Sequence, residues 1–218
     1  MQSIKSHLKL LVDEKIPLLA VLRRRKLKNT NFTVISNNCW AGNVYRYFGL
    51  PYLTPTVGIY FWAQDYLRFV SNLRYYLSQN IEFIDYTESK YRREIIAKNQ
   101  CHIPIGRLDD IEIVFLHYKD EEEARNKWTK RAKRVNFDNI LIKFSEMNNC
   151  AHSDLASFDN LKFENKFMFV KNKDHSFKSG IYLPNYDNWN NISNDTNKWN
   201  EHVDIFDLLN NRAGKYKL

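Results

Sequence analysis

The sequence has few of the residues that interrupt or crosslink a chain: 6 glycines, 5 prolines and 3 cysteines among 218 residues. So few glycines and prolines leave little room for flexible linkers. The cysteines, Cys39, Cys101 and Cys150, are odd in number and lack metal-ligand spacing, which disfavours a disulfide framework and a structural zinc site. These absences favour one globular protein in a reducing compartment, and we predict a cytoplasmic location.

Long apolar runs and several catalytic motifs are also missing. No apolar run approaches the roughly 20 residues that a membrane-spanning helix needs, and Met1 to Lys5 is not followed by an uninterrupted signal-peptide core. There is no G-x-G-x-x-G after a strand, no Walker A motif, no G-x-S-x-G and no H-E-x-x-H. We therefore disfavour dinucleotide oxidoreductases, P-loop enzymes, ordinary serine hydrolases and zinc proteases.

Positive charge and aromatic side chains are abundant. The net charge of +8 favours anionic partners such as nucleic acid, phosphorylated or nucleotide-linked substrates, or an acidic membrane surface. Nucleic acid is disfavoured because the basic residues are scattered among acids instead of forming a stripe with interleaved aromatics. The 13 tyrosines and 5 tryptophans, beside many asparagines, suit a site that stacks on sugar rings as well as a packed core.

Four short apolar runs predict buried strands, starting near Phe32, Val57, Ile111 and Ile140. Amphipathic helical patterns separate them. Continuous apolar strands without hairpin signals indicate a mostly parallel sheet with helices on both faces. We therefore predict a single α/β domain over residues 29–218, three-layered and Rossmann-like.

Three weaker patterns complete this assignment. Residues 83–86, 167–170 and 181–183 predict short additional strands. Residues 103–106 predict a turn. The segment 185–200 is dominated by Asn and Asp, which predicts a loop.

Residues 1–28 predict a basic helical lead-in to this domain. Leucines recur at helical spacing, Pro17 interrupts them, and the segment ends on RRRKLK. We expect two helical pieces that dock on the domain. A basic amphipathic helix can also lie on an anionic leaflet, so weak association with the inner face of the membrane stays open.

Polar or reactive side chains follow three of the predicted strands. They are Ser36, Asn37, Asn38 and Cys39 after the first strand, His117 after the third, and Ser145 and Glu146 after the fourth. Ligands of open parallel sheets bind beyond the carboxyl ends of the strands, so we expect these side chains to converge there.

One hypothesis makes Cys39 a nucleophile, with His117 as general base and Glu146 orienting the imidazole. A helix N-terminus and a charged histidine would both lower the pKa of the Cys39 thiol. The other interpretation of the same residues is that Ser36, Asn37 and Asn38 cap the next helix and that Cys39 only packs. The residue types leave both open.

Candidate substrate-binding groups come from the same strand ends and from one basic helix tail. They are Ser36, Asn37, Asn38, Ser145, Arg131 and Arg134. The two asparagine amides suit an oxyanion or a phosphate, and the two arginines suit an anionic ligand. A solvated helix face is the alternative for the arginines. We predict no metal ligands.

Four short motifs are SNNCWAG, YFGLPYLTPTVG, PIGRLDDIEIVFLHY and EEARNKWTKRAKRVNFDNILIKFSE, which begin at Ser36, Tyr47, Pro104 and Glu122. Together they resemble a bacterial family of unknown mechanism that is labelled exopolysaccharide biosynthesis protein. The resemblance extends roughly from Arg25 to Leu183. It implies a single-domain α/β protein with a cytoplasmic role in making or decorating a surface glycan. The Asn-Cys after the first strand is also faintly similar to sugar acetyltransferases proposed to use a Cys nucleophile.

One segment departs from that family's pattern. Where the pattern has Ser-Asp-Arg-Asp-Gly-Cys, this chain has SEMNNC, from Ser145 to Cys150. Ser36, Asn38, Cys39, Gly42 and His117 match the pattern, so the resemblance supports a role for the first strand end more than for this loop.

We therefore expect a transferase of surface-polysaccharide biosynthesis that acts on a sugar or polysaccharide precursor. The concrete version is acyl transfer from an acyl-CoA through Cys39. A second version is a glycosyl- or phosphosugar transferase, which would use a nucleotide sugar and carboxylates, with or without a divalent metal. A third is a non-catalytic glycan-binding or assembly protein. The residue types do not distinguish an acyl-CoA donor from a nucleotide-sugar donor.

Overall fold

The computed structural model describes residues 17–211, except 175, 188, 197 and 198. In this part of the chain the strands form two separate four-stranded sheets. The strands are β1 (Thr33–Ser36), β2 (Tyr60–Phe61), β3 (Glu82–Ile84), β4 (Ile105–Leu108), β5 (Ile111–Val114), β6 (Ile140–Ser145), β7 (Lys166–Val170) and β8 (Gly180–Tyr182). The α-helices are α1 (Pro17–Arg24), α2 (Trp40–Phe48), α3 (Ala63–Ser71), α4 (Leu73–Ser78), α5 (Arg92–Ala97), α6 (Glu121–Ala132), α7 (His152–Asp159) and α8 (Ile205–Asn211). Short 3-10 turns cover Tyr86–Glu88 and Pro184–Tyr186.

The first sheet is parallel and has the order β1-β6-β7-β8. Its register pairs Thr33 with Ile140 and Ile142 with Lys166. The strands predicted near Phe32 and Ile140, and two of the three weaker ones, belong to it. The α/β class is therefore confirmed.

Both faces of the parallel sheet are buried. Side chains alternate between the faces along a strand, so Val34 packs against α2 and α8 while Ile35 packs on the opposite side. On that opposite side α3, α7 and the second sheet cover Ile142 and Phe144. Burying one such side chain stabilises the fold by about 1.5–3 kcal/mol, and this holds the carboxyl ends of the strands in place.

The second sheet is antiparallel, with the order β2-β5-β4-β3. It corrects the prediction of one mostly parallel sheet, because the strands expected near Val57 and Ile111 lie here. Ile111–Val114 is buried along its whole length, Glu112 included, and the continuous apolar run from Ile113 to Leu116 is typical of a parallel strand.

Two local predictions are corrected in the same sheet. Ile105 and Gly106, expected in a turn, lie in β4, which a tight hairpin at Asp109 and Asp110 joins to β5. Asp109 has φ 53, the left-handed conformation that such a turn requires. The second strand begins at Tyr60 instead of Val57, after a left-handed Gly58.

The described part of the lead-in, α1, docks on the end of α2. Arg24 Nη1 donates to the carbonyl of Gly49 at 2.7 Å, and Arg23 Nη1 donates to that of Tyr47 at 3.3 Å. A Cβ atom at Gly49 would lie 3.1 Å from Ala20 Cβ, so glycine permits the close approach. The helical piece expected before Pro17 lies outside the described residues. Among the described helices, none is both long and apolar enough to cross a membrane.

Candidate functional site

The carboxyl ends of β1 and β6 meet, as two of the three polar strand ends were expected to. Ser36 pairs with Lys143 in the sheet register. Asn37 Nδ2 donates to the Ser145 carbonyl at 3.1 Å, and the Asn37 carbonyl accepts from the Phe61 amide at 3.0 Å. The second sheet is thereby fastened to the end of the first.

A fully buried ion pair lies at this edge. Lys143, in the middle of β6, has a side chain that is 0% exposed, and its ammonium contacts the Asp195 carboxylate. Its Nζ also donates to Ser145 Oγ at 2.6 Å and to Asn38 Oδ1 at 3.2 Å. Asp195 accepts from Asn38 Nδ2 at 2.6 Å and from the Ser145 hydroxyl. We call these four residues the lysine cluster.

Burial lowers the pKa of Lys143, and the neighbouring Asp195 carboxylate opposes that shift. Sequence reasoning missed both members of the pair. The available signal was a lysine inside the apolar run ILIKFS, because a buried charge needs a partner.

The lysine cluster fixes the Asn- and Asp-rich loop over the strand ends. Asp195 belongs to that loop, and three hydrogen bonds to the loop's main chain hold its flanks. The Ile192 amide donates to the Glu146 carbonyl at 2.8 Å, Asn43 Nδ2 donates to the Thr196 carbonyl at 3.0 Å, and Trp40 Nε1 donates to the Trp199 carbonyl at 2.8 Å. The predicted loop is therefore ordered at these points.

Cys39 directly precedes α2, and its thiol donates to the Ile59 carbonyl at 3.6 Å. Burial raises the pKa of the Cys39 thiol to about 11; Arg46 and Lys143 act against the shift and Asp195 adds to it. This reverses the expected lowering, because removal from water outweighs the nearby positive charges. The resting side chain is a neutral thiol.

Two of the three polar residues before Cys39 serve the helix start, and Asn37 instead bonds the end of β6. Ser36 Oγ accepts from the Ala41 amide at 3.1 Å and donates to the Asn38 carbonyl at 2.6 Å. Asn38 Oδ1 accepts from the Trp40 amide at 3.2 Å. These bonds satisfy amides at the first turn of α2, as the capping interpretation expected.

Two cavities with shared lining residues open beside Cys39, and together we call them the groove. Cys39, His117 and Thr196 line both. The first, the cationic cavity, has a volume of about 430 Å³ and includes Arg46 and Lys127. The second, the amide cavity, has a volume of about 340 Å³ and is lined by amides, hydroxyls and one lysine.

His117 is an exposed residue whose position depends on a glycine. Its amide donates to the Gly58 carbonyl at 3.0 Å. Gly58 has φ +72, and a Cβ atom there would lie 3.3 Å from His117 Cβ and 3.2 Å from the Tyr118 ring. The structure thus brings His117 and Cys39 to one groove, as the sequence predicted.

Arg131 enters the cationic cavity and is held by two tyrosines. Its Nη1 donates to the Tyr118 hydroxyl at 2.6 Å, and its guanidinium lies 4.8 Å from the centre of the Tyr52 ring. The Tyr118 hydroxyl donates onward to the Val57 carbonyl at 2.6 Å. Burial raises the pKa of Tyr118 to about 12, and Arg131 acts against this shift. No carboxylate among the described residues pairs with Arg131.

Five candidate residues do not line the groove. Ser36, Asn37 and Ser145 are fully buried at the strand ends, and Glu146 and Arg134 have partners elsewhere. Glu146 accepts from the Lys171 amide at 2.9 Å and pairs with its ammonium at 3.4 Å, so its carboxylate is not brought to His117. Arg134 donates to the Tyr52 carbonyl at 3.3 Å and does not line either cavity. Cys39 and His117 therefore line the same groove without the third member of the expected triad.

The loop from Ser145 to Cys150, whose sequence departs from the resembling family's pattern, keeps a backbone conformation that a glycine would allow. Asn148 and Asn149 have φ 54 and 62, and Asn149 stands where the resembling family's pattern has Gly. Asparagine tolerates this left-handed conformation better than other residues with a Cβ. Within the described ranges, no three His, Cys, Asp or Glu side chains group as metal ligands would.

These features define an α/β protein with a polar, partly cationic groove at the carboxyl ends of a parallel sheet. A family model described as "Domain of unknown function (DUF1919)" matches residues 14–210, and the chain belongs to this family. It is also similar to an uncharacterized protein of Haemophilus influenzae, with 34% identity over 190 residues, or 85% of this chain and 86% of that protein.

Proposed function

We propose that this protein is a transferase in the synthesis of capsule or another surface polysaccharide, that it acts on a sugar, and that the groove is its site. The observation that carries the proposal is that Cys39 and His117 line one cavity together with three cationic side chains. Arg46, Lys127 and Arg131 line the cationic cavity, and no Asp or Glu is among its described lining residues. Such a cavity favours a phosphate-bearing donor.

The polysaccharide context comes from the motif resemblance. The proposal also treats the parallel sheet, with its two covered faces, as a Rossmann-like three-layer unit. In such units ligands bind beyond the carboxyl ends of the strands, where the groove lies.

Acyl transfer from a coenzyme A thioester is the version that the groove supports best. Cys39 Sγ attacks the thioester carbonyl carbon while His117 takes the thiol proton, and the coenzyme A sulfur leaves and is protonated. A sugar hydroxyl then attacks the acyl carbon on Cys39, His117 accepts its proton, and the Cys39 sulfur leaves and regains a proton. His117 is required because a thiol with a pKa of about 11 is not ionised on its own near neutral pH.

The carboxylate-based transferase has less support. Neither cavity has an Asp or Glu among its described lining residues, and Asp195 is bound to Lys143 beneath the groove. A non-catalytic glycan-binding protein is the second candidate. The raised pKa of Cys39 and its contact with the Ile59 carbonyl favour it, because both suit a packed thiol.

We place the protein in the cytoplasm, with weak association at the inner face of the membrane. Leu18 and Leu22 are exposed on α1, one helical turn apart, and Arg25 and Lys26 follow. Flotation with anionic liposomes tests this part. We expect binding at low salt that is lost at physiological salt, because screening weakens surface attraction; binding that resists salt would contradict it.

The acyl-transfer proposal is tested by trapping the intermediate. The protein is mixed with a panel of acyl-CoA thioesters, quenched in acid and analysed by peptide mass spectrometry. We expect an acyl group on Cys39, lost in Cys39→Ser and strongly reduced in His117→Ala. The exposed Cys101 serves as the internal control for non-specific acylation.

Two results would count against catalysis. If Cys39 is acylated no more than Cys101, the nucleophile role is wrong. If glycans nevertheless bind to the unmodified protein, the glycan-binding candidate takes its place.

A further inference from the structure

The two cavities of the groove differ in charge. The cationic cavity has three cationic side chains of its own, Arg46, Lys127 and Arg131, and the amide cavity has one, Lys98. Each cavity has one lysine with a partner: Lys98 Nζ donates to Asn148 Oδ1 at 2.8 Å and lies 4.7 Å from the centre of the Trp62 ring, and Lys127 pairs with the Glu123 carboxylate. The cationic cavity has two arginines besides its lysine, and the amide cavity has none. A multiply charged phosphate group is therefore favoured in the cationic cavity.

The amide cavity offers the groups that recognise sugars. Gln100, Asn148 and Asn194 supply amides, and Tyr60 and Ser193 supply hydroxyls. Amides both donate and accept hydrogen bonds, which matches the neighbouring hydroxyls of a sugar ring. An aromatic side chain adds an apolar face for the ring.

Several of these groups are held in place by the protein. Tyr60 donates to Gln100 Oε1 at 2.6 Å, and Asn148 Nδ2 donates to the Phe61 carbonyl at 3.0 Å. Asn194 Oδ1 accepts from the Thr196 amide at 2.8 Å. Because their orientations are fixed before a ligand arrives, binding costs less side-chain entropy.

The cavities meet at the residues that would carry the chemistry. Cys39, His117 and Thr196 line both cavities. An acyl group delivered from one side and a hydroxyl presented from the other would thus reach the same sulfur. The volume of the amide cavity, about 340 Å³, lies in the usual range for small-molecule sites.

We propose that the groove binds its two substrates in separate halves: the diphosphate part of the donor in the cationic cavity and a sugar ring of the acceptor in the amide cavity. This inference rests on the proposed function and assigns a ligand class to each half. The shared donor chemistry is a diphosphate ester, which both coenzyme A and a nucleoside diphosphate contain.

Two matched pairs of variants separate the halves. Ser193→Tyr places a bulky ring at an exposed lining position of the amide cavity, and Asn191→Tyr places the same ring at an exposed position of the same loop that is not among the lining residues. Arg131→Gln removes a cation from the cationic cavity, and Lys130→Gln removes one from an exposed neighbouring position on α6. Circular dichroism and thermal melting establish that each variant is folded.

The probes are coenzyme A and uridine diphosphate, measured by calorimetry, and a mixture of methyl glycosides of hexoses, N-acetylhexosamines and uronic acids, measured by saturation-transfer NMR. Ser193→Tyr is expected to abolish the glycoside signal and to leave diphosphate affinity within about twofold. Arg131→Gln is expected to weaken diphosphate binding by about tenfold or more, the effect of one lost charge-assisted hydrogen bond, and to leave the glycoside signal unchanged. Both controls should behave as the unmodified protein.

Each other outcome overturns the inference. It is wrong if no glycoside binds, if no diphosphate binds, or if one variant removes both ligands while remaining folded. Glycosides that survive Ser193→Tyr would also place the sugar elsewhere. Failure of the acyl-transfer proposal gives a different result. The two-half arrangement would still hold if both ligands bind in separate halves but Cys39 is not acylated. It would also hold if uridine diphosphate binds in preference to coenzyme A.

Discussion

The two sheets each contain a buried cluster of charges, but the clusters differ in their access to water. In the lysine cluster both ions are sealed, with side chains of Lys143 and Asp195 that are 0% and 1% exposed. In the antiparallel half, Asp65 is 1% exposed while its partner Lys90 is 39% exposed. We call this second group, with Glu112 and Ser89, the aspartate cluster.

The aspartate cluster fastens a connecting segment to the second sheet. Lys90 Nζ donates to Asp65 Oδ1 at 2.7 Å, and the Glu112 amide donates to Asp65 Oδ2 at 2.8 Å. Ser89 donates to the Glu112 carboxylate. Lys90 keeps part of its hydration, so this pair costs less to desolvate than a pair with both ions sealed, although the burial of Asp65 still has a cost.

The lysine cluster has a higher desolvation cost and lies directly below the groove. A sealed pair contributes little net stability, because desolvation offsets the attraction between the charges. Asn38 both binds the pair and lines the amide cavity. The comparison indicates that the lysine cluster positions the groove and its loop, whereas the aspartate cluster supports the fold.

The largest effect is expected for Lys143→Met. It leaves the Asp195 carboxylate buried without its cation, which costs about 3–5 kcal/mol of unfolding free energy. Urea unfolding followed by circular dichroism measures this. The double variant Lys143→Met with Asp195→Leu should recover most of the loss, because no charge then remains buried. An equal loss in both variants would show that packing, not charge, dominates.

A smaller effect is expected for Lys90→Met, the same substitution in the aspartate cluster. A hydrogen bond to a charged group contributes about 1.5–3 kcal/mol. The half-exposed lysine is screened by solvent, so we expect about 1 kcal/mol. Lys119→Met, at a lysine with 88% of its side chain exposed, is the control and should have no measurable effect. A loss as large as that of Lys143→Met would remove the distinction between the clusters.

The pH dependence of stability should also show that Asp65 of the aspartate cluster has a raised pKa. Burial raises its pKa above the ordinary value of 3.8, although Lys90 acts against the shift. Between the unfolded and folded pKa values the folded state binds more protons, so stability contributed at this site falls as pH rises through that window. Thermal melting across acidic pH, with Asp65→Asn as the comparison, measures the difference. If the stability contributed by Asp65 increased with pH, the pKa of Asp65 would not be raised in the folded protein.

The smallest expected effect is a change in the pKa of Cys39 caused by Lys143→Met. With a pKa of about 11, its alkylation by iodoacetamide should be slower than that of exposed Cys101 at neutral pH and should keep increasing toward pH 11. Lys143→Met should raise the Cys39 pKa slightly further, because it removes a nearby cation that lowers it. Peptide mass spectrometry after timed alkylation measures both. A plateau near neutral pH would show that the thiol is already activated.

Much of the parallel half could be predicted from the sequence, because its strands are short apolar runs that end in polar residues. Cys39 and His117 do line one groove, but not for the predicted reason: His117 follows β5 of the antiparallel sheet, which is fastened to the end of β1 through Asn37 and Phe61. The pairing of Glu146 with His117 did not follow, because Lys171 is the nearer cation in the folded chain. Partner choice among loop side chains depends on packing that a linear pattern does not contain.

The antiparallel half was less predictable for a physical reason. The run from Ile113 to Leu116 is continuously apolar, which hides the hairpin strand, and the one charged residue of β5, Glu112, is buried as well. The turn before it uses Asp109 and Asp110 instead of the Asn-Gly or Asp-Gly pairs that announce a hairpin. Asp195 was hidden for another reason, because its partner Lys143 lies in a different element and far away in sequence.

The pairing of β1 with β6 sets an order for folding during synthesis. The strands of the antiparallel sheet all lie between β1 and β6 in the chain, so that sheet can form on the ribosome while β1 still has no neighbour. An unpaired apolar strand has free backbone groups with which other nascent chains can pair, so it promotes aggregation. After β6 has paired with β1, the Lys143 ammonium still has no counter-ion until Asp195 is synthesised. Truncated chains that end before residue 195 should therefore depend on chaperones, and chains that extend beyond it should not.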